Sequence, residues 1–383
     1  MIDNIYEKSD LIRFVNEPLP MQYQRIMAKI MQAIMWTNGD IAIAFSGGKD
    51  SALMLDMYCD IVSRLYPALK DKPIRVMWAN TTNETKAMRE YVPFFIKRCE
   101  VTYGVKIDFI EVTPKKGQNI VSVMKDEGLP VISKSVAGLI RKIKNSMDEN
   151  GISYHDIKAL HEPTIYCRDA LREMGLNDTT VLAMTGWSGN LNDFGTAFVL
   201  PKQYMPLLNI KELTGCDIKI SEKCCNILKK EPVQRLNYPN IMVGEQAVES
   251  KTRENTWLKK GCNYKLPDGA VKSKPLGAVS LDAILYSISK REIPLSPDYG
   301  EVVYCDKTKC YKCTNAQRTG CALCGFGIKY DPYRFIRLQE TEPAKVAFAF
   351  KPFNEGGARL SRSMRGSEHP LQNEHINTED LGV

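Results

Sequence analysis

Ser46-Gly47-Gly48-Lys49-Asp50-Ser51 joins the apolar run Ile41-Ala-Ile-Ala-Phe45 to a second apolar-rich stretch, Ala52-Leu53-Met54-Leu55. The pattern reads as a buried strand, a tight loop and the first turn of a helix. Adjacent glycines let a ligand approach the backbone without a Cβ in the way. The first N–H groups of the helix have no partner of their own, and the helix dipole favours negative charge there. Ser46 and Ser51 add hydroxyls, and Lys49 adds a cation. Such a set suits a polyphosphate and therefore a nucleotide. The loop is not a Walker A motif, because no four-residue gap precedes Gly-Lys. The bland alternative is an ordinary turn that happens to hold two glycines.

A second segment, Gly244-Glu-Gln-Ala-Val-Glu249-Ser250-Lys-Thr-Arg253, follows the short apolar run Ile241-Met-Val243. A glycine directly after a strand leaves room for a ligand, and Arg253 offers a planar fork for phosphate or sulfate oxygens. A solvent-facing helix start with a Glu-Ser pair is the alternative. Cysteine supplies the third feature. Seven of the twelve cysteines fall at Cys224, Cys225, Cys305, Cys310, Cys313, Cys321 and Cys324. Clustering of this kind points to metal rather than to a disulfide framework. The others, Cys59, Cys99, Cys167, Cys216 and Cys262, read as buried inert thiols.

The elements that would carry these residues alternate. A helix over Tyr23–Met35 leads into the strand Ile41–Phe45. Ile74–Trp78 is the next strand, with Asn80-Thr81-Thr82-Asn83-Glu84 as its exit loop. A helix covers about Lys86–Tyr103, and Ile107–Glu111 is a third strand. Alternation of this kind predicts an α/β fold, a parallel twisted sheet sandwiched by helices. Its ligand site lies beyond the carboxyl ends of the strands. The domain reading is a helical lead-in over 1–39, a nucleotide-binding domain in two parts (40–132 and 206–300), a helical insertion over 133–205, a Cys-rich region over 301–352, and a disordered tail over 353–383. Turns are expected at Asn150-Gly151 and Ser188-Gly189-Asn190. At 383 residues the chain can bury a substantial core. No apolar run spans a bilayer and no signal-peptide layout opens the chain, which reads as cytoplasmic with no membrane partner. A net charge of +7 permits a nucleic-acid partner without demanding one. The denser Lys/Arg stretches, 223–260 and 334–365, read first as solvated faces.

Ser46–Ser51 resembles the PP-loop of ATP pyrophosphatases, which split ATP into AMP and pyrophosphate while activating a substrate. Gly244–Arg253 resembles the Gly-x-Arg-x-x-Glu-Ser-x-x-Arg signature of the phosphoadenosine-phosphosulfate (PAPS) reductase family, with Gln246 in place of the first arginine. Lys223-Cys224-Cys225 through Pro232 is similar to the Cys-Cys element of iron–sulfur sulfonucleotide reductases, and Cys321-x-x-Cys324 to its distant partner. Gly128-Leu-Pro130, Gly261-Cys262-Asn263 and Arg318-Thr-Gly-Cys321 resemble stretches of a phage- and bacterium-associated branch. The resemblance runs over roughly Ile41–Arg337. It implies the adenine nucleotide alpha hydrolase-like fold. It also implies an adenine-nucleotide site formed by Ser46, Gly47, Gly48, Lys49, Asp50, Ser51, Asn80, Gly244, Glu249, Ser250 and Arg253, with Lys49, Asp50 and Arg253 catalytic. Finally it implies a [4Fe-4S] cluster on Cys224, Cys225, Cys321 and Cys324, with Lys223, Lys229 and Arg318 available to offset its charge. Zinc on Cys310, Cys313, Cys321 and Cys324, or no metal, remains open. Cys305, Cys310 and Cys313 lie outside the family pattern and are open to a second metal site, a redox relay or sulfur carriage.

Family does not settle reaction. An intact PP-loop beside an iron–sulfur site resembles nucleic-acid thiolation enzymes. ATP with Mg²⁺ would adenylate a substrate oxygen, and sulfur from a donor such as a cysteine desulfurase would then displace AMP. Ser46, Gly47, Gly48 and Ser51 would hold phosphates, Lys49 would stabilise the leaving pyrophosphate, and Arg253 would grip the α-phosphate. Asp50 would bind Mg²⁺ or cap the helix. A PAPS or adenylyl-sulfate reductase is the rival. It needs a mobile nucleophilic cysteine near the C-terminus, and no cysteine follows Cys324. A non-catalytic nucleotide-binding defence or phage protein is the third reading. Homodimers are common among such relatives. The histidines His155, His161, His369 and His375 suggest no catalytic set.

Overall fold

Six strands form one sheet in the order β3-β2-β1-β4-β6-β5. Their ranges are β1 Ala42–Ala44, β2 Ile74–Ala79, β3 Ile107–Val112, β4 Ile241–Val243, β5 Asn263–Lys265 and β6 Val271–Ser273. The computed structural model describes residues 4–160, 163–186, 199–328, 331, 333–352, 355 and 357–358. His161, His369, His375, the turn expected at Ser188–Asn190 and nearly all of the expected tail lie outside them.

All the sheet's pairings are parallel except β5 with β6. The fold is therefore α/β, as the alternating pattern requires. Ile43 at the centre is flanked by Val76 of β2 and Met242 of β4. Val76, Met77, Trp78 and Ala79 are all buried. Successive strand residues point to opposite faces, so both faces of the sheet are covered at its centre.

The chain divides into two compact units, Met1–Pro114 with Lys229–Gly320, and Lys115–Leu228 with the residues from Cys321 on. The division falls at 114/115, whereas the sequence suggests an insertion opening at 133. It also cuts the Cys-rich stretch between Gly320 and Cys321.

The first unit holds the sheet. The helix Leu19–Thr37 is longer than its periodic core: Pro18 opens it, and Asn38 (φ 48°) with Gly39 (φ 68°) stops it. The helices Lys49–Leu65 and Lys86–Tyr103 follow β1 and β2. Within the first of these helices, Asp56 is fully buried. It accepts from Arg98 Nη1 (2.7 Å), Arg291 Nε (2.6 Å) and Tyr103 Oη (2.8 Å). Arg291 also reaches Asp60 at 3.0 Å. A hairpin, β7 Val302–Cys305 with β8 Cys310–Cys313, completes the unit.

The second unit is helical. Helices occupy Ile120–Glu127, Lys134–Glu149, Tyr154–Lys158, Arg168–Glu173, Asp178–Thr185, Ile210–Thr214, Arg334–Thr341 and Pro343–Phe350. A parallel bridge, Leu129 to Ile220, ties two of its segments. Among the described residues no helix is long and apolar enough to cross a membrane.

Candidate functional site

Strand order reverses direction at β1: β2 lies on one side and β4 on the other. Ligands in open α/β sheets bind beyond the strand ends at such a switch point. The two segments singled out from sequence are the exit loops of these neighbouring strands. Gly244 packs so closely that a Cβ there would lie 3.2 Å from the Asp50 carbonyl carbon and the Ser51 nitrogen.

The first loop is built by its own side chains. Ser46 N–H donates to Ser51 Oγ (3.1 Å), and Gly48 N–H donates to Ser46 Oγ (3.3 Å). Ser51 Oγ in turn donates to the Gly48 carbonyl at 2.9 Å. Gly47 sits at φ 74°, where a side chain is strained, and a Cβ there would overlap Met88 Sδ. Gly48 has an ordinary extended backbone (φ −72°, ψ 155°). The helix N-terminus leaves the Asp50 and Ser51 N–H groups without a partner among the described residues, as an anion site requires.

Lys49 is buried, with Nζ 3.0 Å from Asp50 Oδ2. The other Asp50 oxygen accepts from Gln246 Nε2 at 3.0 Å. Gln246 thus ties β4's loop to β1's. Lys49 N–H donates to Tyr299 Oη (3.2 Å), which also shares a hydrogen bond with Thr319 Oγ1 (2.9 Å). Burial pushes the Tyr299 phenol above its ordinary range, followed by opposing effects of Lys49 and Asp50. Tyr299 carries no motif signal, and the partners of Gln246 and Thr319 are invisible to local motif reading, because Tyr299 and Gln246 act across roughly two hundred residues or more and Thr319 acts through Tyr299.

Arg253 pairs with Glu249 and lies 3.6 Å from Glu245. Glu249 also accepts from Arg318 Nη2 (2.7 Å) and from Gln246 N–H (3.2 Å). Lys274 Nζ holds Glu245 at 2.8 Å. The arginine fork is therefore present but neutralised by carboxylates in this state. Ser250 caps the helix Lys251–Lys260. Asn80 turns to β3, donating to Glu111 Oε1 at 2.7 Å.

The four cysteines assigned by resemblance to a cluster, Cys224, Cys225, Cys321 and Cys324, all belong to the second unit. Gly128 helps place the first pair. Its φ of 114° and a virtual Cβ 2.7 Å from the Lys219 carbonyl admit only glycine, and the bridge it permits aligns Leu129 with Ile220, just before Cys224. Cys224 is pushed well above the ordinary thiol range, first by a hydrogen bond with Cys225, then by burial, then by charge at Cys225, Cys324 and Cys321. Burial would depress Lys134, but Cys225, Cys324 and Cys224 outweigh it and raise it. Arg334 donates to the Cys321 (2.8 Å) and Cys324 (3.3 Å) carbonyls. The cations beside these thiols are thus Lys134 and Arg334. Lys223 is committed to Glu127 and Arg318 to Glu249. Among the described residues no three Cys, His, Asp or Glu side chains converge tightly enough to chelate a metal as they stand. The donor chemistry fits an iron–sulfur cluster, since four thiols lie within electrostatic reach in one unit. Cys310 and Cys313 lie three residues apart on one strand and so point to opposite faces, a poor chelating pair. Of the scattered cysteines, Cys59, Cys99 and Cys262 are buried, while Cys167 and Cys216 are half-exposed.

No family model matches the chain, and no curated protein matches it in sequence. Among solved structures it is similar to a phosphoadenylyl-sulfate (PAPS) reductase from Candida auris, solved as a phosphate complex. That likeness covers 70% of this chain and 82% of the other, at 13% identity and a TM-score of 0.32. At that level the fold rests on the strand order above.

Proposed function

We propose that the chain is a PP-loop enzyme that binds ATP beyond β1 and β4 and adenylates a substrate oxygen, releasing pyrophosphate. Sulfur transfer to a nucleic acid would follow. The observation that carries this reading is the Ser46–Ser51 loop at the sheet's switch point, with unpartnered helix N–H groups, two hydroxyls and the Lys49 cation gathered on it.

In the first step the substrate oxygen attacks the α-phosphorus, its bond to the bridging oxygen breaks, and pyrophosphate leaves. Ser46, Ser51 and the free N–H groups hold the phosphates, and Gly47, Gly48 and Gly244 leave them room. Lys49 exchanges Asp50 for the leaving pyrophosphate and stabilises its charge. Arg253 exchanges a carboxylate for the α-phosphate, while Glu249, Ser250 and Asn80 shape the rim. Asp50 is the residue that would hold Mg²⁺: each of its oxygens accepts one of these two bonds, from Lys49 and from Gln246, and keeps lone-pair capacity. Cys224, Cys225, Cys321 and Cys324 would hold a [4Fe-4S] cluster, which when bound supplies sulfur or electron-transfer chemistry. Lys134 and Arg334 would offset its charge.

Pyrophosphate release from ATP that depends on added nucleic acid, and is lost in Lys49→Ala, is the expected result. Sulfite release from PAPS with a thiol donor, or ATP binding without turnover, would overturn it.

A further inference from the structure

We infer that the β7–β8 hairpin is a thiol–disulfide exchange site, in which Cys305 and Cys310 reduce a low-molecular-weight disulfide of the glutathione class. The two residues are direct cross-strand partners at the turn end of the hairpin. Opposed residues in an antiparallel pair have Cα atoms about 4.5–5.5 Å apart. That lies inside the roughly 4.4–6.8 Å that a disulfide spans. The ladder adds that both side chains leave the same face. Cys313, on the opposite face, is buried in the sheet's core, and Tyr311 N–H points away from the ladder to Asp282 Oδ1 at 2.6 Å. The pair is thus singled out from the third cysteine of the hairpin.

Both cysteines are free of a disulfide and half-exposed, so a small disulfide can reach them. The four-residue turn Asp306-Lys307-Thr308-Lys309 joins them. Thr308 Oγ1 is 3.0 Å from Cys310 Sγ. The same threonine bonds to Cys305 through side chain and backbone. With the Lys312 charge a smaller contributor, this holds the Cys305 thiol below its ordinary range. A stabilised thiolate is the nucleophile in exchange. Cys305 is therefore the attacking residue and Cys310 the resolving one.

The balance closes. The Cys305 thiolate attacks one sulfur of the external disulfide, whose S–S bond breaks, and the first thiolate leaves and takes up a proton. The Cys310 thiolate then attacks the Cys305 sulfur of the mixed disulfide and expels the second thiolate, which is protonated in turn. Two protein thiols are oxidised and one external disulfide becomes two thiols.

The test uses the full chain in a series of oxidised-to-reduced glutathione ratios, quenched in acid and alkylated. Trypsin cuts after Lys307, Lys309 and Lys312, so Cys305, Cys310 and Cys313 fall on separate peptides. The expected result is a dithiothreitol-reversible cross-link between the Cys305 and Cys310 peptides, with Cys313 alkylated throughout. Cys310→Ser should trap glutathione on Cys305, and Cys305→Ser should leave Cys310 largely unmodified. Circular dichroism checks that both variants fold. Full alkylation of both thiols in the most oxidising buffer, or a cross-link running to Cys313 instead, would overturn the assignment.

Discussion

Replacing Gly47 and Gly48 separately by alanine distinguishes a loop shaped for the backbone from one shaped for a ligand. At Gly47 the backbone is left-handed, and an added Cβ would overlap Met88 Sδ and approach Val92 Cγ2 at 3.0 Å. A left-handed residue other than glycine costs about 1–2 kcal/mol. Overpacking against a core side chain costs about 1–3 kcal/mol. Gly47→Ala should therefore lose about 2–5 kcal/mol of stability. Gly48 needs no special backbone, and its Cβ would meet only Ser46 Oγ and Tyr299 Oη, each at 3.3 Å. The loss of a tolerated helix cap and the stiffening of the unfolded chain nearly offset, leaving a change within about 1 kcal/mol. That methyl would nonetheless stand between two hydroxyls of the cradle. Loss of one charge-assisted hydrogen bond to phosphate costs about 1.5–3 kcal/mol. This is roughly 10–150-fold in affinity. Urea unfolding followed by circular dichroism gives the first quantity, and calorimetric titration with ATP gives the second. A Gly48→Ala protein that binds ATP like the parent, or a Gly47→Ala protein as stable as the parent, would refute the reasoning.

Other perturbations probe the scaffold. Asp56→Asn strips the charge from a buried carboxylate that meets two arginines, and should cost about 3–5 kcal/mol in urea unfolding. Gly128→Ala drives a methyl into the Lys219 carbonyl, and should lower both stability and the iron bound per chain after anaerobic reconstitution. Glu222 is pushed up by burial but brought below its ordinary value by its hydrogen bonds to Arg141, 3.0 and 2.6 Å long, and by a smaller backbone bond. A depressed carboxylate contributes stability above its unfolded pKa of about 4.3 and loses it as pH falls through the folded value. Arg141→Ala should therefore destabilise at pH 7 by about 1–2 kcal/mol, and the gap from the parent should close below about pH 4. A gap that stays constant with pH would contradict the assignment.

The loop after β1 was legible because it is local: an apolar run, two glycines and a helix start all lie within fifteen residues. The same holds for β2, β3 and the helix Lys86–Tyr103, whose periodicity is strong. The strands β5 and β6 are three residues each, and only the pairing of β6 with the distant β4 brings their local hairpin into the sheet, so Asn263-Tyr-Lys265 carries no strand signal of its own. The hairpin β7–β8 was hidden by its cysteines, whose spacing suggests ligands before it suggests a ladder. Within the site, the glycines, serines and Lys49 were readable as types, but their partners were not. Tyr299 meets Lys49 across 250 residues, and Gln246 meets Asp50 across 196. Lys134 and Arg334 likewise come beside the cysteines only through folding. Sequence adjacency had nominated Lys223 and Arg318, which the fold commits to glutamates.

Calorimetric titration of ATP with Mg²⁺ into the parent chain and into Lys49→Ala is the most direct measurement of what the loop does. Saturable binding by the parent, weakened roughly 10–100-fold when the buried ammonium is removed, is the expected result. No detectable heat from the parent, or equal affinity in both proteins, would mean that the Ser46–Ser51 turn does not hold a triphosphate.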